Sequence, residues 1–214
     1  TSYWQDLRAG FTYVRQWPGL FWLIILAMAL NFLLGPTSAL APLVVTKIFN
    51  GGALELGWVE STFGIGIIVG GLLLSTWGGF KRRIITSFLG IVGIGIAIAS
   101  IGLVPANMFY LLLAANFLVG FSQVFANGPL QAIFQSSVAP EMQGRVFSLL
   151  SAGATAMMPI GLLIAGPLSD LVGIRFWYIF GGSVCVLMAI AATFSSAIMN
   201  IETNNKESAA TAAT

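Results

Sequence analysis

Of the 214 residues in this chain, 57% are hydrophobic and only 7% carry charge, with a mean hydropathy of +0.94. That composition leaves too little polar surface to cover a water-soluble globule of this size, so lipid is the expected solvent. The formal net charge of +2 is too small to argue for nucleic acid; with no histidine and one cysteine, Cys185, neither a zinc site nor a Cys/His nucleophile pair can be assembled, and no cofactor or metal is expected.

The first residues are polar and aromatic, unlike a signal peptide. Tyr3, Leu7, Phe11 and Val14 recur at intervals of three or four beside Asp6, Arg8 and Arg15. This spacing predicts an amphipathic helix within residues 1–19, lying on the inner membrane surface and broken by Pro18 and Gly19. Six apolar spans follow within residues 20–199: Leu20 to Val45, Leu56 to Thr76, Ile84 to Val104, Phe109 to Gln131, Val146 to Leu168 and Phe176 to Met199. Each approaches the ~20 residues a helix needs to cross a ~30 Å hydrocarbon layer. Barrel strands would need only ~10 residues each, with polar alternation that is scarce here, so the predicted class is an all-α polytopic bundle. Residues 200–214 are small and polar and predict a disordered cytoplasmic tail.

Charge placement gives an orientation. With both ends cytoplasmic, Arg8, Arg15, Lys81, Arg82, Arg83, Arg145 and Lys206 lie inside, against only Lys47 and Arg175 outside. This is the pattern of a multi-pass protein of a bacterial-type inner membrane. Trp22, Trp58, Trp77 and Trp177 fall near the predicted span ends, where amphipathic rings favour the headgroups.

Span one carries Asn31 and is interrupted by Pro36 and Pro42, with Gly35 beside the first; a proline has no N–H, so a kink or local opening is expected. Near the start of span two, Glu60 sits four residues in, roughly 6 Å along a helix, while Glu55 lies closer to the aqueous loop. A carboxylate at Glu60 can attract a cation or exchange a proton; the plainer reading is an acid at the headgroup boundary. Spans two and three are crowded with Gly64, Gly66, Gly70, Gly71, Gly90, Gly93 and Gly95, and Gly161 with Ala165 makes a similar small surface in span five, all suited to close helix packing. In span four, Asn116, Gln123, Asn127 and Gln131 are separated by seven, four and four residues and share one narrow sector of the helix. Four amides facing lipid would be costly, so they line either a substrate passage or helix–helix contacts. The serines have no histidine partner and no glycine-rich loop precedes a phosphate-binding Lys-Ser/Thr pair, which argues against an enzyme or an ATP-driven pump.

A signature occurs twice, as Gly71-Leu72-Leu73-Leu74-Ser75-Thr76-Trp77-Gly78 ending span two and Gly166-Pro167-Leu168-Ser169-Asp170-Leu171-Val172-Gly173 ending span five, 95 residues apart. Three spans per copy is an odd number, so two three-helix units, 20–104 and 109–199, lie inverted in the membrane. Gly71, Leu73, Gly78 and the Lys81-Arg82-Arg83 cluster resemble the loop between the second and third helices of each half of a major facilitator transporter. Ser75 stands where that family usually has an acid; the second copy has Asp170, with Gly173 and Arg175 after it. Pro140-Glu141-Met142-Gln143-Gly144-Arg145-Val146 is similar to the inner loop of macrolide and other drug-efflux members. The resemblance implies the carboxy-terminal half of a twelve-helix protein. It further implies a preceding six-helix bundle as partner, alternating access, these loops as gates, a small-molecule substrate and coupling to protons or ions. A noncatalytic six-helix scaffold or accessory subunit is the competing reading.

Overall fold

The computed structural model describes residues 3–201, with side chains from Leu7 onward. The expected tail with Lys206, and the side chains of Tyr3 and Asp6, lie outside the described residues. The helices are α1 (Tyr3–Arg15), α2 (Pro18–Leu43), α3 (Ala53–Trp77), α4 (Arg83–Leu103), α5 (Phe109–Ser137), α6 (Pro140–Val172), α7 (Ile174–Thr193) and the short α8 (Ser196–Met199). Six of these, α2 to α7, are long and apolar enough to cross a membrane. Helices satisfy their backbone within one segment, which is what hydrocarbon demands. Large side chains such as Ile68, Leu72 and Leu163 remain 63%, 64% and 75% exposed, forming faces suited to lipid.

Hydropathy located the apolar cores and missed several helix ends. α5 continues past Gln131 to Ser137, and α6 begins at Pro140, ahead of Val146. Helical hydrogen bonding does not require an apolar side chain, so these helices end where the backbone turns extended: Val138, and Ala139, which precedes Pro140 and is held out of the helical region by its ring. The last predicted span is also broken, ending at Thr193 rather than running to Met199. Thr193 donates its hydroxyl to the Ile190 carbonyl, and Ser195 is extended.

In span one the helix runs through Pro36 and Pro42. The departure from α geometry comes just after Pro42, as a π-helical turn at Val44–Ile48. Thr46 Oγ1 donates to the Pro42 carbonyl at 2.8 Å, and Gly51 N–H closes the end on Val45 O at 2.9 Å, with Asn50 left-handed at φ 52°.

The two repeats are intertwined. The main packed pairs are α3 with α5, α2 with α6, α4 with α5 and α4 with α7, each joining one repeat to the other. α3–α5 and α2–α6 exchange under the inversion, and their contacts keep register. A Cβ on Gly66 would run into the Phe117 carbonyl, and one on Gly161, 95 residues later, would run into that of Phe32. Gly120 lies against Phe63, and Gly35 against Met158, in the same relation. α4 and α7 meet each other at Gly95 and Gly182. Glycine is required at Gly66, Gly120, Gly161, Gly95 and Gly182 because backbone touches backbone there, whereas Gly35 meets the Met158 side chain.

α1 docks on the start of α6 through a narrower surface than the predicted stripe. Gly10 abuts the Arg145 carbonyl, Val14 is buried, and the Tyr13 hydroxyl accepts the Ala139 N–H at 3.2 Å, while Phe11 stays 49% exposed.

Candidate functional site

Among the described residues α2 and α5 do not form a packed pair, and the gap between them is floored by α4. A cavity of about 310 Å³ opens there, with Asn31 on the α2 wall, Gln123 and Asn127 on the α5 wall, and Ile91, Ile94 and Ile98 beneath. Towards the opposite end of the bundle lies a second cavity of about 120 Å³, lined by Ser38, Glu60, Asn116 and Tyr178 among apolar neighbours. Thr37, Ser38, Phe63, Ile98 and Val119 border both, so the two are contiguous.

The structure brings together three of the four span-four amides on these walls; Gln131 lies exposed beyond them. Asn31 Nδ2 donates to Ala27 O at 2.8 Å, and Asn116 Nδ2 to Leu112 O at 2.9 Å. Each amide thereby satisfies a donor within its own helix and keeps its Oδ1 as an acceptor. The two acids of α3 differ in kind. Glu55 accepts the Gly52 N–H at 2.7 Å and caps the helix start, while Glu60 lies on the cavity wall.

Two residues of this region carry no motif. Trp177 is buried, 2% exposed, and its indole N–H donates to the Leu33 carbonyl at 3.1 Å; the Tyr178 hydroxyl donates to the Thr37 carbonyl. Trp177 is thus a bundle-interior residue rather than a headgroup ring, unlike Trp22, Trp58 and Trp77, which are 46–52% exposed. Leu33 lies in the turn of α2 just before Pro36, and its carbonyl accepts the indole N–H from α7.

The predicted gating loops sit at the two ends. Gly78 at φ 78° ends α3, with its N–H on Leu74 O at 2.8 Å; 95 residues later Gly173 at φ 96° ends α6, with its N–H on Ser169 O at 3.0 Å. Gly79 is also left-handed at φ 77°, and Phe80 N–H donates to the buried Thr86 Oγ1 at 2.9 Å, anchoring this loop. Ser75 donates to the carbonyl of Leu72 in its own helix. Lys81, Arg82 and Arg83 are exposed at the N-terminus of α4, where the helix dipole disfavours cations, so helix stability does not account for them. Glu141 is exposed in the first turn of α6, where the dipole favours it; Gly144 faces open space, and Arg145 Nη1 lies 3.6 Å from Met142 Sδ. Asp170 is exposed near the far end of α6, and Arg175 Nη1 donates to Gly102 O at 3.3 Å, tying α7 to the end of α4.

Residues 20–212 match the sequence model of the Major Facilitator Superfamily. The chain belongs to that superfamily. It is 31% identical over 198 residues to macrolide efflux protein A of Streptococcus pyogenes, covering 92% of this chain and 49% of that protein. It is 34% identical over 158 residues to macrolide efflux protein A of Enterococcus faecalis, covering 74% and 49%. Multidrug efflux pump Tap of Mycolicibacterium fortuitum is 28% identical over 156 residues, 71% of this chain and 37% of Tap. The chain spans about half the length of the macrolide efflux relatives it matches. Family and helices agree: a Major Facilitator chain with six helices long and apolar enough to cross a membrane is a multi-pass membrane protein.

Proposed function

We propose that this chain is the carboxy-terminal half of a secondary active transporter that exports a drug-like, amphipathic small molecule by alternating access, working against an amino-terminal six-helix half. The observation that carries this reading is the amide-lined cavity in the α2–α5 gap: Asn31, Gln123 and Asn127 offer hydrogen bonds without demanding one ligand charge, above an isoleucine floor that accepts an apolar body. The names of the relatives in Streptococcus and Enterococcus favour a macrolide-like cargo. Glu60 is the proposed ion or proton site, and the loops around Gly78 and Gly173 the proposed gates.

The test is energised efflux of erythromycin and ethidium from cells carrying the chain with an amino-terminal half. Replacing both Gln123 and Asn127 with leucine removes two ligand hydrogen bonds of ~1 kcal/mol each and is expected to slow efflux about tenfold or more at normal membrane abundance. Unchanged efflux would reduce the amides to interhelical contacts, and no efflux from the parent would favour a scaffold.

The proposed orientation has its own check. Exposed cations at a helix N-terminus that does not favour them are explained by the positive-inside rule. Reporters fused after Arg83 are expected in the cytoplasm, and one inserted between Phe49 and Leu54 outside. The reverse pattern would invert the bundle.

A further inference from the structure

The two cavities are partial copies of one another. A displacement of 85 residues carries α2 onto α5: Asn31 onto Asn116, Gly35 onto Gly120, and the Asn31–Ala27 bond onto the Asn116–Leu112 bond. Applied to the walls, it takes Asn31 of the larger to Asn116 of the smaller, and Gln123 and Leu130 of the larger to Ser38, which borders both, and Val45 of the smaller; Asn127 falls on Pro42, outside the smaller lining. Each compartment therefore holds an asparagine in the same register, with the same self-bonded donor and the same remaining acceptor.

The copies differ in charge. No ionisable side chain lines the Asn31 compartment, whereas the Asn116 compartment has Glu60. The displacement of 95 residues that carries α3 onto α6 takes Glu60 to Thr155, so the carboxylate breaks the symmetry on one side only. We propose that the Asn116 compartment is a second ligand site, distinct from the amide cavity and selective for an alkylammonium group. This deepens the transporter reading and rests on it for its physiological meaning.

The chemistry of the walls selects the class. A metal cation asks for several hard oxygen ligands, and a single carboxylate with one amide among valines, isoleucines and a phenylalanine is a poor set for it. An alkylammonium ion presents its charge to Glu60 and its methyl groups to Val44, Val45 and Val59. Phe63 and Tyr178 add aromatic rings, and because the Tyr178 hydroxyl is committed to Thr37, its ring is what remains to offer. The compartment, about 120 Å³, has room for a substituted amine. The neutral body of a cationic amphiphile then belongs in the larger, uncharged compartment next door.

The test uses the full chain in lipid nanodiscs, open to solute from both faces, with choline and its neutral carbon isostere 3,3-dimethylbutanol as probes. Ala41→Cys and, separately, Asn116→Cys, at positions that border the smaller compartment alone, are labelled with a hydrophilic thiol reagent. Cys185 is fully buried with its thiol on the Ile91 carbonyl, so its silence reports an intact bundle. Choline at about 10 mM is expected to slow labelling at both positions about threefold or more by mass action, while the isostere leaves it unchanged. Glu60→Gln should abolish the protection, and Asn31→Cys in the other compartment should show none. Equal effects of the two probes, protection that survives Glu60→Gln, or engineered cysteines that resist the reagent altogether would overturn the proposal. Protection requires no transport. Its loss condemns the ammonium site alone, and absent efflux with protection intact condemns the transport reading alone.

Discussion

Replacing Trp177 with alanine is expected to destabilise the bundle by about 3–5 kcal/mol, the range for emptying a large buried aromatic site. Three losses combine. The side chain is 2% exposed, so its volume becomes a cavity; its indole no longer donates to the Leu33 carbonyl; and its edge contact with Phe32 and tilted contact with Phe180, at centroid distances of 6.5 and 6.1 Å, disappear. Trp177→Phe keeps most of the volume and removes the hydrogen bond, which in membranes averages below ~1 kcal/mol, so it should fall well short of the alanine effect. Trp58, 46% exposed, is the control, since its truncation to alanine opens no interior space. Midpoints of denaturant titrations in mixed micelles order these variants. An alanine variant at position 177 with the parent's midpoint would show that α7 is not held to α2 through this ring.

Gly66→Ala is expected to cost about 1–3 kcal/mol, the penalty for overpacking, whereas Gly64→Ala, two residues away, should be neutral or stabilising. The difference lies in what a methyl group meets. At Gly66 it meets the backbone of Phe117 and Phe121, which cannot yield without separating α3 from α5, and at Gly64 it meets nothing within 4 Å. Since α5 is the main partner of α3, the penalty reaches the whole helix. Gly161→Ala, at the matching point of the α6–α2 crossing, should behave as Gly66→Ala does. The same titrations serve, and equal midpoints for the Gly64 and Gly66 variants would remove the close crossing as a source of stability.

Much of this architecture was legible in the residues, because a bilayer enforces long apolar helices and an odd number of them per repeat inverts the second copy. The polar sector of α5 could also be read: helical periodicity puts Asn116, Gln123 and Asn127 on one face whatever surrounds them. What lies opposite a face could not. Gln131 shares the sector but is exposed and outside the cavity lining. Among the glycines of α3, the four-residue spacing of Gly66 and Gly70 already has the form of a close-packing pair, and the crossing with α5 sets these two apart from Gly64 and Gly71. Trp177 fitted a headgroup ring by its place near a span end; its true partner, the Leu33 carbonyl of α2, is 144 positions away. Ser75 replaces an acid, and its hydroxyl turns back on its own helix, an outcome that a missing charge permits but does not specify.

The intertwining of the repeats bears on biogenesis. Once α2, α3 and α4 have entered the membrane, the helices against which they mainly pack, α5, α6 and α7, are still to come. These three helices must therefore wait in lipid without their main packing partners. Helix assembly then begins with α5, which docks on both α3 and α4, and α2 gains its main partner only with α6. A chain stalled between α4 and α5 would leave α2, α3 and α4 inserted but without the helices that pack them.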